Sequence, residues 1–366
     1  MLGRSLSSCC LLVLGAVLPG TATALDEQRP IPAPAAGDDL RGLSVVRVEE
    51  TFHSGTAELS GTLYLPVVSA RVPAVVAFHS ASSPNREQPL YDHLRQMLPP
   101  LGIAVFVYDR RGSGKSSGRP NQGNYEALAD DGIAAQQMLA QDTRIDPKRL
   151  GFWGLSQGGW LSLLAASRSP ATAFAIAISA PMTTPDVQMN FAVANILRIK
   201  GYPQGDIDTA IAAREAADDF VRGRLDRVTA QKRLDAAATR PWFDLIYLHR
   251  SLDDPAYAGW AQAIRNDPLA ALRSVKCPIL IVYGASDPWV PVKASLDALN
   301  ANASQNHNIV LAVVAGADHD MNLSTPLNTQ IDPSALSAAA PDSAEYFGVI
   351  ASWLTARGLV RLRHAP

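Results

Sequence analysis

Three polar residues stand directly after strand-like apolar runs, and their types form a reactive set. Ser156 lies in Gly154-Leu155-Ser156-Gln157-Gly158, Asp287 in Gly284-Ala285-Ser286-Asp287-Pro288, and His319 in Ala315-Gly316-Ala317-Asp318-His319. A serine hydroxyl is a poor nucleophile until a base takes its proton, and that base must be oriented by an acid. The glycines flanking Ser156 have a mechanical reason. A hydroxyl exposed at the apex of a tight strand-to-helix turn brings backbone against backbone, with no room for a Cβ. The chemistry this set could perform is acyl transfer through a covalent serine intermediate.

Asp287 could instead cap a helix beginning at Pro288 or Pro291. Asp318 and Asp320 flank His319, but near neighbours in sequence rarely orient an imidazole along its ring axis. His79 is expected to shape its loop through hydrogen bonds rather than act as a base. His53, His93, His249, His307 and His364 sit in surface-like contexts. Gly112-Ser113-Gly114-Lys115-Ser116 imitates the tail of a phosphate-binding loop, but Asp109 stands where that loop needs its first glycine. Nucleotide binding is therefore rejected. No cysteine–histidine cluster or H-E-x-x-H pattern suggests a metal, and no cofactor is implied.

The elements that must position these residues can be read from periodicity. Val45–Phe52 and Glu58–Leu65 read as a hairpin around Ser54-Gly55. Val72–Phe78, Ile103–Tyr108, Arg149–Leu155, Ala173–Ser179, Pro278–Tyr283 and Ile309–Val314 are continuous apolar strands. Helical spacing covers Leu90–Leu98, Tyr125–Leu139, Gln157–Ser167 and Ser343–Arg357. Strands apolar throughout and alternating with helices imply an α/β fold, a mostly parallel central sheet flanked by helices. Pro185 to Asp267 breaks the rhythm, with helical patterns at Val187–Ile199, Asp206–Arg222 and Val228–Ala238, then an aromatic-rich piece. The expected organisation is a core of residues 44–184 and 268–366 interrupted by a helical cap insertion, residues 185–267. Trp242, Phe243 and Tyr247 could line a substrate pocket or form the insertion's own core.

The chain order Ser156, Asp287, His319, with the turns quoted above, resembles the α/β-hydrolase superfamily from about Val45 to Arg357. Asp109-Arg110-Arg111-Gly112-Ser113-Gly114-Lys115-Ser116 matches a segment these enzymes often carry after the fourth strand. More narrowly the chain looks like bacterial exported esterases related to the prolyl-oligopeptidase and dienelactone-hydrolase branches. The resemblance implies an oxyanion hole of two backbone amides, one from Gln157 and one from the loop after the third strand. Relatives usually have His-Gly-x there; this chain has His79-Ser80-Ala81. The second donor is carried to Ala81, with Ser80 or Ser82 as alternatives.

The 366-residue chain carries a net charge of −2 and no basic stripe, which argues against a phosphate-backbone partner. Arg4, the apolar Cys9–Leu18 and Ala22-Thr23-Ala24 read as a secretory signal peptide, residues 1–24, cut after Ala24. Its apolar core is too short to span or stably anchor in a membrane. Residues 25–43, with Pro30, Pro32 and Pro34, read as an extended leader. Cys9 and Cys10 leave with the signal, so only Cys277 remains, expected as a buried structural thiol. The expectation is an exported, periplasmic or secreted serine hydrolase acting on small-molecule esters, without nucleic acid or cofactor. An exopeptidase or amidase using the same triad is the alternative, and a catalytically dead binding protein a further one. The sequence leaves the oligomeric state open.

Overall fold

The computed structural model describes residues 44–120, 123–302 and 308–360; the expected signal peptide and leader lie outside them. Eight strands form one sheet in the order β1-β2-β4-β3-β5-β6-β7-β8. β1 (Val45–Ser54) and β2 (Ala57–Pro66) make the antiparallel hairpin, and β2 also pairs antiparallel with β4 (Ala104–Tyr108). From β4 onward every pairing is parallel, through β3 (Val72–Phe78), β5 (Ile145–Leu155), β6 (Phe174–Ile178), β7 (Ile279–Gly284) and β8 (Ile309–Val314).

Successive strand residues point to opposite faces, and the two faces have separate cores. On one side Val76, Phe78, Phe106, Phe152, Ile279 and Ile281 pack with the apolar faces of α2 (Tyr125–Gln141) and α3 (Gln157–Arg168). On the other side Val75, Val105, Trp153, Ile176 and Leu280 meet α1 (Asp92–Met97) and the C-terminal helix Ala344–Ala356. Covering both faces is what the continuous apolar runs require. β8 departs from that rule: it is an edge strand, and Val313 is 40% exposed. An apolar run does not reveal whether a strand has a neighbour on each side, so its sequence gives no warning. α1 ends at Met97, before Pro99 and Pro100, and Pro99–Leu101 adds a separate tight turn whose first positions lose no hydrogen bond to proline.

Between β6 and β7 the chain is helical among the described residues. It runs through α4 (Pro185–Ile199), α5 (Gln204–Val221), α6 (Arg227–Ala238), α7 (Ala256–Ala263) and α8 (Pro268–Ser274). Val193, Leu197, Ala213, Leu234, Trp242 and Phe243 bury one another in a third core belonging to this segment. Asp226 and Asp267 cap α6 and α8 by accepting backbone N–H bonds. After β7 come α9 (Val292–Asn302), the short α10 (Leu327–Gln330) and α11, the helix Ala344–Ala356 already met.

Phe152 sits fully buried at mid-sheet, its ring 5.3 Å from that of Phe78. Phe152→Ala is expected to cost about 3–5 kcal/mol by leaving a cavity that the two-sided packing cannot close. Urea denaturation checks it, through a lower midpoint at unchanged slope.

Candidate active site

Ser156 stands between the last residue of β5 and the first of α3 with φ 57° and ψ −119°. For a residue with a Cβ this conformation is strained, at a cost of about 1–3 kcal/mol, and it persists only where surroundings enforce it. Here the enforcement is packing. A Cβ on Gly154 would lie 2.0 Å from the Gly158 carbonyl oxygen, and one on Gly158 would lie 2.8 Å from that of Phe78. The Ser156 N–H donates to Ile178 O at 2.8 Å, tying the turn to β6.

Asp287 and His319 meet across the ends of β7 and β8. His319 Nδ1–H donates to Asp287 Oδ2 at 2.8 Å, and both side chains are buried. The other oxygen of Asp287 accepts from the N–H groups of Trp289 (2.7 Å) and Val290 (3.0 Å). Those two amides lie in the loop before α9, which opens only at Val292, so Asp287 caps no helix: one oxygen fixes its own loop and the other holds His319. Asp318 Oδ1 accepts from Asp320 N and Asn322 N and so shapes the His319 turn, which Ser179 Oγ supports by donating to His319 O. Ser179 and Met321 also have positive φ, so the unusual backbone clusters around this site.

Burial alone would disfavour a charged His319, but the charge and hydrogen bond of Asp287, with Asp320 and Asp318 nearby, push its pKa up to about 9. Asp320 is itself raised to about 6, mainly by burial; one of its oxygens accepts from Ser337 N and the other has no partner. His93 corrects the sequence reading: it is buried, hydrogen-bonded to Leu90 O and the Tyr346 hydroxyl, and burial lowers its pKa to about 3. His79 is also buried and donates to Tyr108 O at 2.6 Å.

Ser156, Gln157, His319 and Ala81 all line one cavity of about 870 Å³. Ser156 and His319 share it without a hydrogen bond between them among the described contacts, a looseness common before substrate binds. Its walls include Trp160, Met189, Tyr247, Trp260, Trp289 and Leu336, and among the described lining residues none is Asp, Glu, Lys or Arg. Tyr247 thus faces the cavity, whereas Trp242 and Phe243 belong to the insertion's own core. Ser80 does not serve as a free donor. Its hydroxyl is shared with Ser82, Ser83 and Ser337, which ties the loop after β3 to the segment after α10. Helix α4 reaches the Asp287 loop, with Gln188 Nε2 donating to Trp289 O and Asn195 Nδ2 to Pro288 O.

The segment after β4 folds onto Asp109, which accepts from Lys115 N through its carboxylate and from Ser116 Oγ through its carbonyl. Gly112 and Gly114 have positive φ there, and among the described residues no helix opens after them until Tyr125, so the phosphate-loop likeness ends with the letters. Among the described residues no three His, Cys, Asp or Glu side chains converge on a metal position. Sequence reasoning did not single out Trp160, Trp289, Asp320 as a buried acid, or the role of Arg110. Trp160 and Trp289 follow their motifs closely, within α3 and just after Asp287, and that proximity was the available signal.

The sequence model of the family described as X-Pro dipeptidyl-peptidase (S15 family) matches residues 55–318, a span that begins after β1, holds the helical insertion and ends one residue before His319. The chain belongs to this family. A solved esterase of Pyrococcus furiosus superposes with a TM-score of 0.56 at 17% identity, covering 89% of this chain and 96% of that one. At that identity the likeness carries the fold, which is that of the α/β-hydrolase superfamily. A monoacylglycerol lipase of Mycolicibacterium smegmatis is 24% identical over 286 residues, 76% of this chain and 92% of that protein. An uncharacterized protein of Mycobacterium tuberculosis is 32% identical over 149 residues, 38% of this chain and 50% of that protein. The chain thus spans about half the length of that higher-identity relative.

An imidazole can take a proton only when neutral, so with His319 as base to Ser156, phosphonylation of that serine by a fluorophosphonate is expected to quicken with pH through an inflection above 6.5 and near 9. Asp320→Asn removes a negative charge that favours the imidazolium, so the inflection should move to lower pH. Rates of labelling from about pH 4.5 to about pH 11 check both directions.

Proposed function

We propose that the chain is a serine hydrolase that cleaves carboxylic esters with neutral, largely apolar acyl or alcohol parts. Ser156 attacks the ester carbonyl carbon. His319 Nε2 takes the hydroxyl proton as the bond forms and returns it to the departing alkoxide. Asp287 holds Nδ1–H, fixing the tautomer that leaves Nε2 as base. The N–H groups of Gln157 and Ala81 bind the oxyanion, and Gln157, opening α3, places that charge at a helix N-terminus. Water then attacks the acyl-serine, with His319 again as base, and the acid is released.

The observation that carries this reading is that no described residue lining the cavity is a carboxylate. An X-Pro dipeptidyl-peptidase must hold the free ammonium of its substrate, and burying an ammonium without a carboxylate is costly. No described residue lining the cavity supplies one. The family match supports the competing reading, release of X-Pro dipeptides through the same three residues. The lipase and esterase relatives support ester cleavage for their own chains.

Export belongs to the proposal, supported by Arg4, the apolar Cys9–Leu18 and the small residues Ala22-Thr23-Ala24. The mature chain would then keep only Cys277, which is buried and free, its thiol pushed up to about 11 by burial.

A panel of p-nitrophenyl esters of rising acyl length beside Ala-Pro-p-nitroanilide separates the readings. Esters are expected to turn over with the higher kcat/KM, and Ser156→Ala is expected to lose at least about 10³-fold in kcat. A dipeptidyl anilide cleaved faster than every ester would reverse the assignment.

A further inference from the structure

Arg110 lies directly after β4 at 2% exposure, outside the cavity lining. One nitrogen, Nη2, donates to three acceptors: Ser80 O at 2.8 Å, Gln157 Oε1 at 2.9 Å and His79 O at 3.2 Å. Its Nε and Nη1 are buried without a hydrogen-bond partner. Among the described residues no carboxylate lies within ion-pair distance, whereas its neighbours Asp109 and Arg111 are both engaged elsewhere, with Arg86 and Asp131. A buried guanidinium without a counter-ion is a poor choice for stability alone.

The geometry gives it a different use. In a trans peptide the C=O and N–H of one group point in opposite directions. The carbonyl of Ser80 and the N–H of Ala81 are the two ends of one such group, and no cis bond occurs among the described residues. Turning Ser80 O toward Arg110 therefore turns the Ala81 N–H away from it. Ala81 lines the cavity, and its N–H has no acceptor among the described residues. A cation on the oxygen also polarises the peptide and strengthens the opposite N–H as a donor. The same nitrogen holds the side chain of Gln157, the residue after Ser156. One buried side chain thus grips both segments that face the carbonyl oxygen of a bound ester.

We infer that Arg110 is a positioning residue for the oxyanion hole, orienting and polarising the Ala81 donor through the Ser80 carbonyl and anchoring the side chain of Gln157 from behind; this rests on the acyl-transfer reading above. Negative charge develops on the ester oxygen only in the transition state, so the contribution belongs to kcat rather than to KM. The adjacent His79 is not a second cation: burial, and then the charge of Arg110, hold it down to about 3 and so neutral.

The test compares the intact enzyme with Arg110→Met, which keeps bulk and removes the donors, Arg110→Lys, and Ser156→Ala. Arg110→Met is expected to lower kcat on p-nitrophenyl butyrate by roughly 10–100-fold with KM within about twofold. The Ki of an alkyl trifluoromethyl ketone, which adds to serine and leaves an oxyanion, should rise by a similar factor. Arg110→Lys should fall between Met and the parent, and the thermal midpoint should not drop with kcat. A folded Met variant with kcat and Ki within about twofold of the parent would overturn the inference. If Met does not fold, the Lys variant is held to the same criterion. Ser156→Ala separates the failures: if it stays active, the acyl-transfer reading and this inference both fall. If it is inactive while Arg110 variants match the parent, only the role of Arg110 falls.

Discussion

The close approach of α3 to the ends of β3, β5 and β6 is the constraint on which the site depends. Ser156 can hold its strained conformation because Gly154 and Gly158 allow carbonyl groups to pass where side chains would collide. That contact places the hydroxyl at the sheet's carboxyl edge, where the loops after β3, β7 and β8 also converge. It also sets the first turn of α3 beside the loop after β3, so that one guanidinium can reach both. A looser turn would move the Ser156 hydroxyl and the amides of Gln157 and Ala81 apart together.

The site is electrically two-sided. Asp287, Asp318 and Asp320 surround His319, the group that gains a proton in the proposed reaction. Arg110 stands behind Ala81 and Gln157, on the side where the ester oxygen gains charge. Proton and electron density thus move toward environments already prepared for them, and little reorganisation is needed as the reaction proceeds. The serine-rich junction of Ser80, Ser82, Ser83 and Ser337 lies between the two sides and fixes the loop after β3 without adding formal charge.

The parts legible in the sequence are those that short-range pattern controls. The strand and helix runs from Val45 to Ala356 show in their apolar spacing, and Ser156, Asp287 and His319 show in the turns that follow their strands. The edge position of β8 was not legible, because exposure depends on a missing neighbour rather than on the run itself. His93 looked like a surface residue because its partner, Tyr346, lies far along the chain. Arg110 sat inside a quoted segment, yet its meaning depends on two carbonyls and an amide from distant elements. The sorting of Trp242 into a core and Tyr247 into a wall likewise required the packing of the whole insertion.

Gln188 and Asn195 carry a last consequence. Through them a helix of the insertion is bonded to the backbone of the Asp287 loop. Tyr247 adds an aromatic contact to Trp289 on the same loop, 6.1 Å between rings. The segment that supplies part of the cavity wall therefore also braces the partner of the imidazole. In the proposed reaction, selectivity and reactivity are not separate modules. Evolution, or a designer exchanging the insertion for another, must carry over the brace along with the walls, or accept a chamber of new shape around a less well-aligned base.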